Sequence, residues 1–464
     1  MAVIPSRSGR RAAWAIAALA STLAALPTRS EDLPSVAVPL PRVDLRLIEA
    51  GKRMPIDLAS AVRLAVADNL EIQAARARVA EATAEKNRAL GGLVPKASVS
   101  FTAGEIDGLI QGSFGNLEEH TFGTINPAGR ITFTVDPGAA LFDTLARYRT
   151  LDASVQRADA VTQDTLRAVA FAYFALEQAG AAVAIAEQAV AASMEFVRVS
   201  ADREQLGSGL EVDLRRAEAQ LAQDQGLLTH RQREFRDASV RLALIAQLDP
   251  AITLFPLAAA VTPRRFVGLA DVRSLIDRAI EERPEVNEVV HRAEAATAQQ
   301  SAAWWKALGP KVGGFVEESA IGTKFANLGD RQIYGGGIGW EFALTAIGDI
   351  QAAEARRAQA GIDIVRVRDL VTAEVIRAHE DLRVAAEQID IALRGVTAAE
   401  ATLTLSQSRY ADGVGLALDV LEAERALTIG RTALVTAIQA YNGAQVALLW
   451  ATGELSPGAL AADG

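Results

Sequence analysis

Asp419 and Glu422 stand three residues apart just after the turn Gly413-Val414-Gly415-Leu416. At that spacing both carboxylates share one helical face. Carboxylates repeated around a symmetric pore would form a ring that favours cations. An earlier turn, Gly207-Ser208-Gly209-Leu210, is followed by Asp213, but Arg216 stands where the later one has Glu422. Glycine admits a positive φ and lets backbones approach closely. Leu206, Leu210, Val414 and Leu416 flank or occupy these turns, and apolar residues at an exposed turn call for a partner. Two plainer readings stay open: the glycines only make the turns, and the carboxylates only solvate a helix.

Other chemistry is poorly supplied. The chain has no Cys, so structural disulfides, thiolate metal sites, a Cys nucleophile and lipidation through Cys are excluded. The four His are scattered and form no ligand-spaced pair. There is no nucleophile elbow and no phosphate-binding Gly-Lys loop, and Gly335-Gly336-Gly337 reads as strand. A net charge of −10 argues against nucleic acid as a partner. The expectation is a protein that is not an enzyme and needs no cofactor or metal.

The elements that carry the turns come in two copies. Arg203, Gly207, Gly209, Leu210, Asp213, Ala217, Glu218 and Leu221 recur 206 residues later, as Arg409 through Leu427. Upstream the shift is 214, pairing Asp57 with Asp271 and Glu71 with Glu285. The shift changes between Pro95 and Leu145, so the first copy holds an insertion there, expected in loops. No proline interrupts Pro137–Pro250 or Pro310–Pro457, which permits very long helices. The reading places a first repeat over 55–249, with helices at 55–93, 139–206 and 210–248. A second repeat covers 269–455, with helices at 269–308, 345–412 and 416–453. The connection 250–268 and the tail 456–464 carry no assigned element. A helix of about 68 residues is roughly 100 Å long. Val169, Tyr173, Leu176, Gly180, Val183, Glu187, Val190, Met194 and Val197 step by four and three, as do their counterparts from Val375 to Leu403. That is a coiled-coil register.

Between the helices the period drops to two. Ala97, Val99, Phe101 and Ala103 alternate with polar residues, as do Ile131, Phe133 and Val135. Strands are expected at about 97–104, 129–136, 311–318 and 332–343, with polar, Gly-rich 104–129 as a long loop. Strands of eight to ten residues suit a membrane-spanning β-barrel. Four strands in lipid expose two edges, and only closure removes that cost. Three chains would supply twelve strands around a water-filled lumen. Phe101, Phe133, Phe142, Tyr334, Trp340 and Phe342 are candidates for an aromatic belt or for barrel packing, and Trp304-Trp305 for the periplasmic interface.

The N-terminus reads as an export signal over 1–26, with Arg7, Arg10 and Arg11 before an apolar run from Ala12 to Leu26. A Pro-rich linker follows over 27–54. No later segment is expected to cross a membrane as a helix.

This pattern resembles the TolC-type outer-membrane efflux protein family. The resemblance rests on the two glycine turns with Asp213 and Asp419, on Asp419-Val420-Leu421-Glu422-Ala423, and on Asp136-Pro137 through Leu141-Phe142-Asp143. It spans about residues 55–453. It implies a mostly α homotrimer, its 12-stranded barrel of four strands per chain in outer-membrane lipid, continuous with a periplasmic α-helical coiled-coil barrel. It also implies an adaptor and an inner-membrane pump docked at the tunnel tip, which carries over here to Val414, Gly415 and Leu416; Leu206, Gly207, Gly209, Leu210 and Gly413 complete the candidate docking tips. An acidic constriction is implied at Asp419 and Glu422, joined by Asp213 from the first copy. The expected role is a passive exit duct for efflux or type I secretion. The competing reading is a structural or adhesive surface coiled coil. The cargo is not legible.

Overall fold

The structure, a computed structural model, describes residues 38–39 and 53–461, apart from 112, 113, 208, 259 and 269. The expected signal segment, most of the Pro-rich linker and Ser208 lie outside the described residues.

The chain begins with two short strands, β1 (Val38–Pro39) and β2 (Arg53–Ile56). The helix expected over 55–93 is instead two, α1 (Leu58–Asp68) and α2 (Leu70–Gly91). Asp57 caps α1 by accepting from the Ser60 amide at 2.9 Å. Asn69 breaks the run. Its backbone is extended, and its side chain accepts from the amides of Glu71 and Ile72, which starts α2 afresh. The helix expected over 269–308 is likewise α5 (Val272–Glu282) and α6 (Pro284–Leu308). Here Pro284 forces Arg283 out of helical geometry and then occupies the first turn of α6.

Two long hairpins follow the same order in each half. α3 (Pro137–Gln205) runs for 69 residues, about 104 Å at 1.5 Å per residue, and returns through α4 (Glu211–Ile245). α7 (Thr345–Ala411) returns through α8 (Ala417–Ala451). Asp136 accepts from the Ala139 amide and Pro137 opens the first turn, so α3 starts sharply. An 18-residue stretch of α3 is long and apolar enough to cross a membrane, contrary to the expectation. Two thirds of it is buried inside the chain, which marks a core helix.

One sheet has the order β3-β4-β7-β8, all antiparallel. β3 (Lys96–Gln111) and β4 (Leu117–Val135) are far longer than expected. The residues assigned to a loop over 104–129 are mostly ladder, closing at Gln111 opposite Leu117. The insertion in the first half therefore lengthens a hairpin. β7 is Lys311–Ile321 and β8 is Gly329–Gly339. β8 stops short of the expected residue 343 because its partner β7 begins at Lys311, opposite Gly339. Trp340 and Phe342 therefore lie beyond the strand.

Register sorts the two faces, because directly paired residues share a side. Val99, Phe101, Ile131, Val316, Tyr334 and Ile338 fall on one face, and Val99 is 93% exposed. Ser98, Ser100, Thr102, Arg130, Thr132 and Glu317 fall on the other, where Arg130 pairs with Glu317 at 3.4 Å.

Midway along the hairpins lies the main apolar core, built from Leu166, Tyr173, Phe174, Leu176, Leu242, Leu254 and Val446. The connection expected to be featureless carries β5 (Thr253–Pro256), parallel to β2, and β6 (Ala260–Val261), antiparallel to β1. Two buried amides of α8 fasten the strap after β6. Asn442 and Gln445 accept from the Arg264 and Phe266 amides and donate to the Thr262 and Arg264 carbonyls. The tail adds α9 (Pro457–Ala461), whose Leu460 joins the core.

Candidate functional site

The two glycine turns end the two hairpins. α3 and α7 each stop at a glycine with positive φ, Gly207 at 71° and Gly413 at 80°. Only glycine reaches that region without strain. The second glycine of each turn serves differently. A Cβ on Gly209 would stand 3.0 Å from the Glu204 amide nitrogen, and one on Gly415 only 2.8 Å from that of Tyr410. Each folds back tightly, its amide donating to the Arg203 or Arg409 carbonyl at 2.9 Å.

The apolar residues of both turns face outward. Leu206 is 81% exposed and Val414 71%, with Leu210 and Leu416 also exposed. Behind them a small core joins the hairpins: Phe196, Ala217, Tyr410, Ala417, Val420 and Leu421. Tyr410 is its centre. Phe196 lies 5.4 Å from its ring, and the Arg203 guanidinium sits 4.5 Å above that ring. Arg203 also donates to the Tyr410 carbonyl at 2.7 Å. Tyr410 is not legible from the repeat, because pairing positions by their shift does not reveal contacts between unlike positions. A signal was there: an aromatic residue three positions before a tip glycine, with no aromatic in the first copy.

The three carboxylates are placed unequally. Asp419 and Glu422 are exposed in the first turns of α8, where the helix N-terminus favours negative charge. Asp419 also accepts from the Leu416 amide at 3.4 Å, so it helps to start the helix. Asp213 is partly buried and lies 3.5 Å from Arg216, which offsets its charge. The structure therefore brings Asp419 and Glu422 together as an exposed pair and leaves Asp213 partnered at the other tip.

At the opposite end of the hairpins, Trp305 wedges between α6 and the start of α3. Gly138 accepts it only because it lacks a Cβ, which would stand 2.1 Å from the indole. Trp304 and Trp305 are both partly exposed beside the first residues of β7.

The family described as outer membrane efflux protein matches residues 275–454. Nodulation protein T of Rhizobium leguminosarum bv. trifolii is 22% identical over 402 residues, covering 83% of this chain and 82% of the relative. The outer-membrane channel OprN superposes with a TM-score of 0.76 at 19% identity, over 91% of this chain and 98% of its own. The outer membrane protein VceC of Vibrio cholerae gives 0.76 at 20% identity, over 85% and 96%. The open state of the MtrE outer membrane channel of Neisseria gonorrhoeae gives 0.73 at 18% identity, over 85% and 88%. At these identities the solved structures establish the fold.

Proposed function

We infer that this chain, a TolC-type outer membrane efflux protein, is the passive exit duct of an efflux or type I secretion system. It lies in the outer membrane with its helical domain in the periplasm. The observation that carries the reading is a sheet with one apolar face and two open edges, continuous with two hairpins about 100 Å long.

The open edges are β3 and β8. In lipid each unpaired backbone group costs several kcal/mol, so these edges must pair with other copies. Pairing β8 of one copy with β3 of the next in a ring of three closes twelve strands. The polar face with Arg130 and Glu317 then lines the lumen, and Val99, Phe101 and Tyr334 meet lipid. The repeated element order in the two halves supports an internal duplication, which would make the helical barrel pseudo-sixfold.

The exposed leucines and Val414 at the tips are the docking surface for a periplasmic adaptor, which couples the duct to an inner-membrane pump. The pump supplies the energy. Asp419 and Glu422, three pairs around the axis, form an acidic constriction at the mouth, with Asp213 a lesser contributor. A purely adhesive coiled coil would explain the hairpins but leaves the apolar sheet face and its open edges unexplained.

Light scattering on the detergent-purified protein, with planar-bilayer recording, tests the reading. The expected result is a mass of three chains and steady ion conductance. A monomer that does not conduct would overturn it.

A further inference from the structure

Behind the tips, a cleft of about 320 Å³ separates the two hairpins. Its walls come from all four long helices. Gln188 and Ala192 belong to α3, Asp224 to α4, Leu403 to α7, and Glu424 to α8. Two carboxylates therefore face one half-open cleft from opposite hairpins. Asp224 is held on its own hairpin, where Ser193 and Gln220 donate to it. Glu424 is held on the other by Gln407.

The cations nearby are committed elsewhere. Arg425 donates to Gln220 and Gln223, and Arg431 bridges Gln188 of α3 and Glu400 of α7. Among the described residues neither Asp224 nor Glu424 has a cation within 4 Å. Among the described residues, Arg425 and Arg431 are the only other charged side chains that line the cleft. Two like charges held in a partly desolvated space repel, and the strain falls if one of them carries a proton.

We propose that Asp224 and Glu424 form a proton-operated latch between the hairpins, closed when one proton sits on the pair and loosened when both carboxylates are charged. This inference rests on reading the tips as the mouth of the duct. Burial and the Asp224 charge push Glu424 up from 4.5 to about 7. The sign follows. In the closed arrangement Glu424 keeps its proton to about 7, whereas once the hairpins part and water enters it ionises near 4.5. Closure is therefore strongest below about 4.5, weakens as pH rises towards 7, and weakens no further above that. A single proton changes the open-to-closed ratio at most about tenfold per pH unit. Acidification tightens the tips.

The chain has no native Cys, so one spin label at Leu206→Cys reports tip motion in the detergent-purified protein. Label mobility should rise between pH 5 and about 7 and then level off. Glu424→Gln should stay immobile throughout, and Asp224→Asn should end its rise at a lower pH. Glu218→Gln, the counterpart on the first hairpin, should behave as the parent. A flat response in the parent overturns the latch without any variant. A parent-like response in Glu424→Gln also overturns it. The readout is motion rather than current, so a protein that fails to conduct would sink the duct reading and leave this result standing.

Discussion

Arg203 donates to the carbonyl oxygen of Tyr410 at 2.7 Å and covers its ring at 4.5 Å. The two residues belong to different hairpins, and the contact ties one tip to the other. A hydrogen bond from a charged donor contributes about 1.5–3 kcal/mol where it is shielded. Arg203→Ala should therefore loosen the tips, with limited proteolysis near 206–213 accelerating several-fold. Arg203→Lys should recover little, because an ammonium cannot bond the carbonyl and stack on the ring as a planar guanidinium does. An unaltered cleavage rate in Arg203→Ala would remove the tie from the account.

The sequence disclosed this site only partly. The glycine turns, their flanking apolar residues and the helix start at Asp57 are local signals, and the structure has each of them in place. The break at Asn69 was hidden because its side chain acts as a cap inside an otherwise helical pattern. The break at Arg283 was readable from Pro284. The long β3–β4 ladder was not, since Gly, Asp and Glu disfavour strand while backbone pairing holds them there anyway. The Arg203–Tyr410 contact joins residues about 200 apart, and no periodicity announces it.

The mid-height core holds a buried ion pair. Arg264 donates to Glu177 at 2.7 Å, and burial pushes the Glu177 carboxyl above its usual range while Arg264 pulls it back. Arg264→Ala leaves a buried carboxylate without its cation and should cost about 3–5 kcal/mol. That cost is pH-dependent. Glu177 raised in the folded state keeps its proton longer than in the unfolded chain, so the variant is most stable in acid and loses stability as pH rises past about 4.5. Urea melts at pH 4.5 and 7.5 measure this. A destabilisation equal at both values would contradict it.

Gly138 and Gly226 are both helical glycines, yet their substitution by alanine should have opposite effects. Nothing lies within 4 Å of a Cβ on Gly226, so Gly226→Ala gains helix propensity and should stabilise by about 0.5–1 kcal/mol. On Gly138 the new methyl meets the Trp305 indole at 2.1 Å, and the ring must leave its seat. Overpacking of this kind costs about 1–3 kcal/mol. Thermal melts of the two variants should therefore shift in opposite directions. Gly138→Ala, Trp305→Ala should recover part of the loss, because the clash is with that one ring.

The acidic pair at the second tip gives a prediction about permeation. Asp419 and Glu422 are exposed, lie on one face of α8 and have no cation within 4 Å among the described residues. Asp213 is already offset by Arg216. If the pair lines the mouth, Asp419→Asn with Glu422→Gln should move the reversal potential in a potassium chloride gradient towards zero. Asp213→Asn should move it much less. Arg216→Glu, which gives the first tip the charges of the second, should raise cation selectivity above the parent. Asp419 also accepts from the Leu416 amide, so Asp419→Asn keeps an acceptor there and the helix start survives. The change in selectivity should then come with only a small fall in melting temperature, from the loss of negative charge at the helix N-terminus. Identical reversal potentials in the parent and the double variant would place the selective constriction elsewhere along the duct.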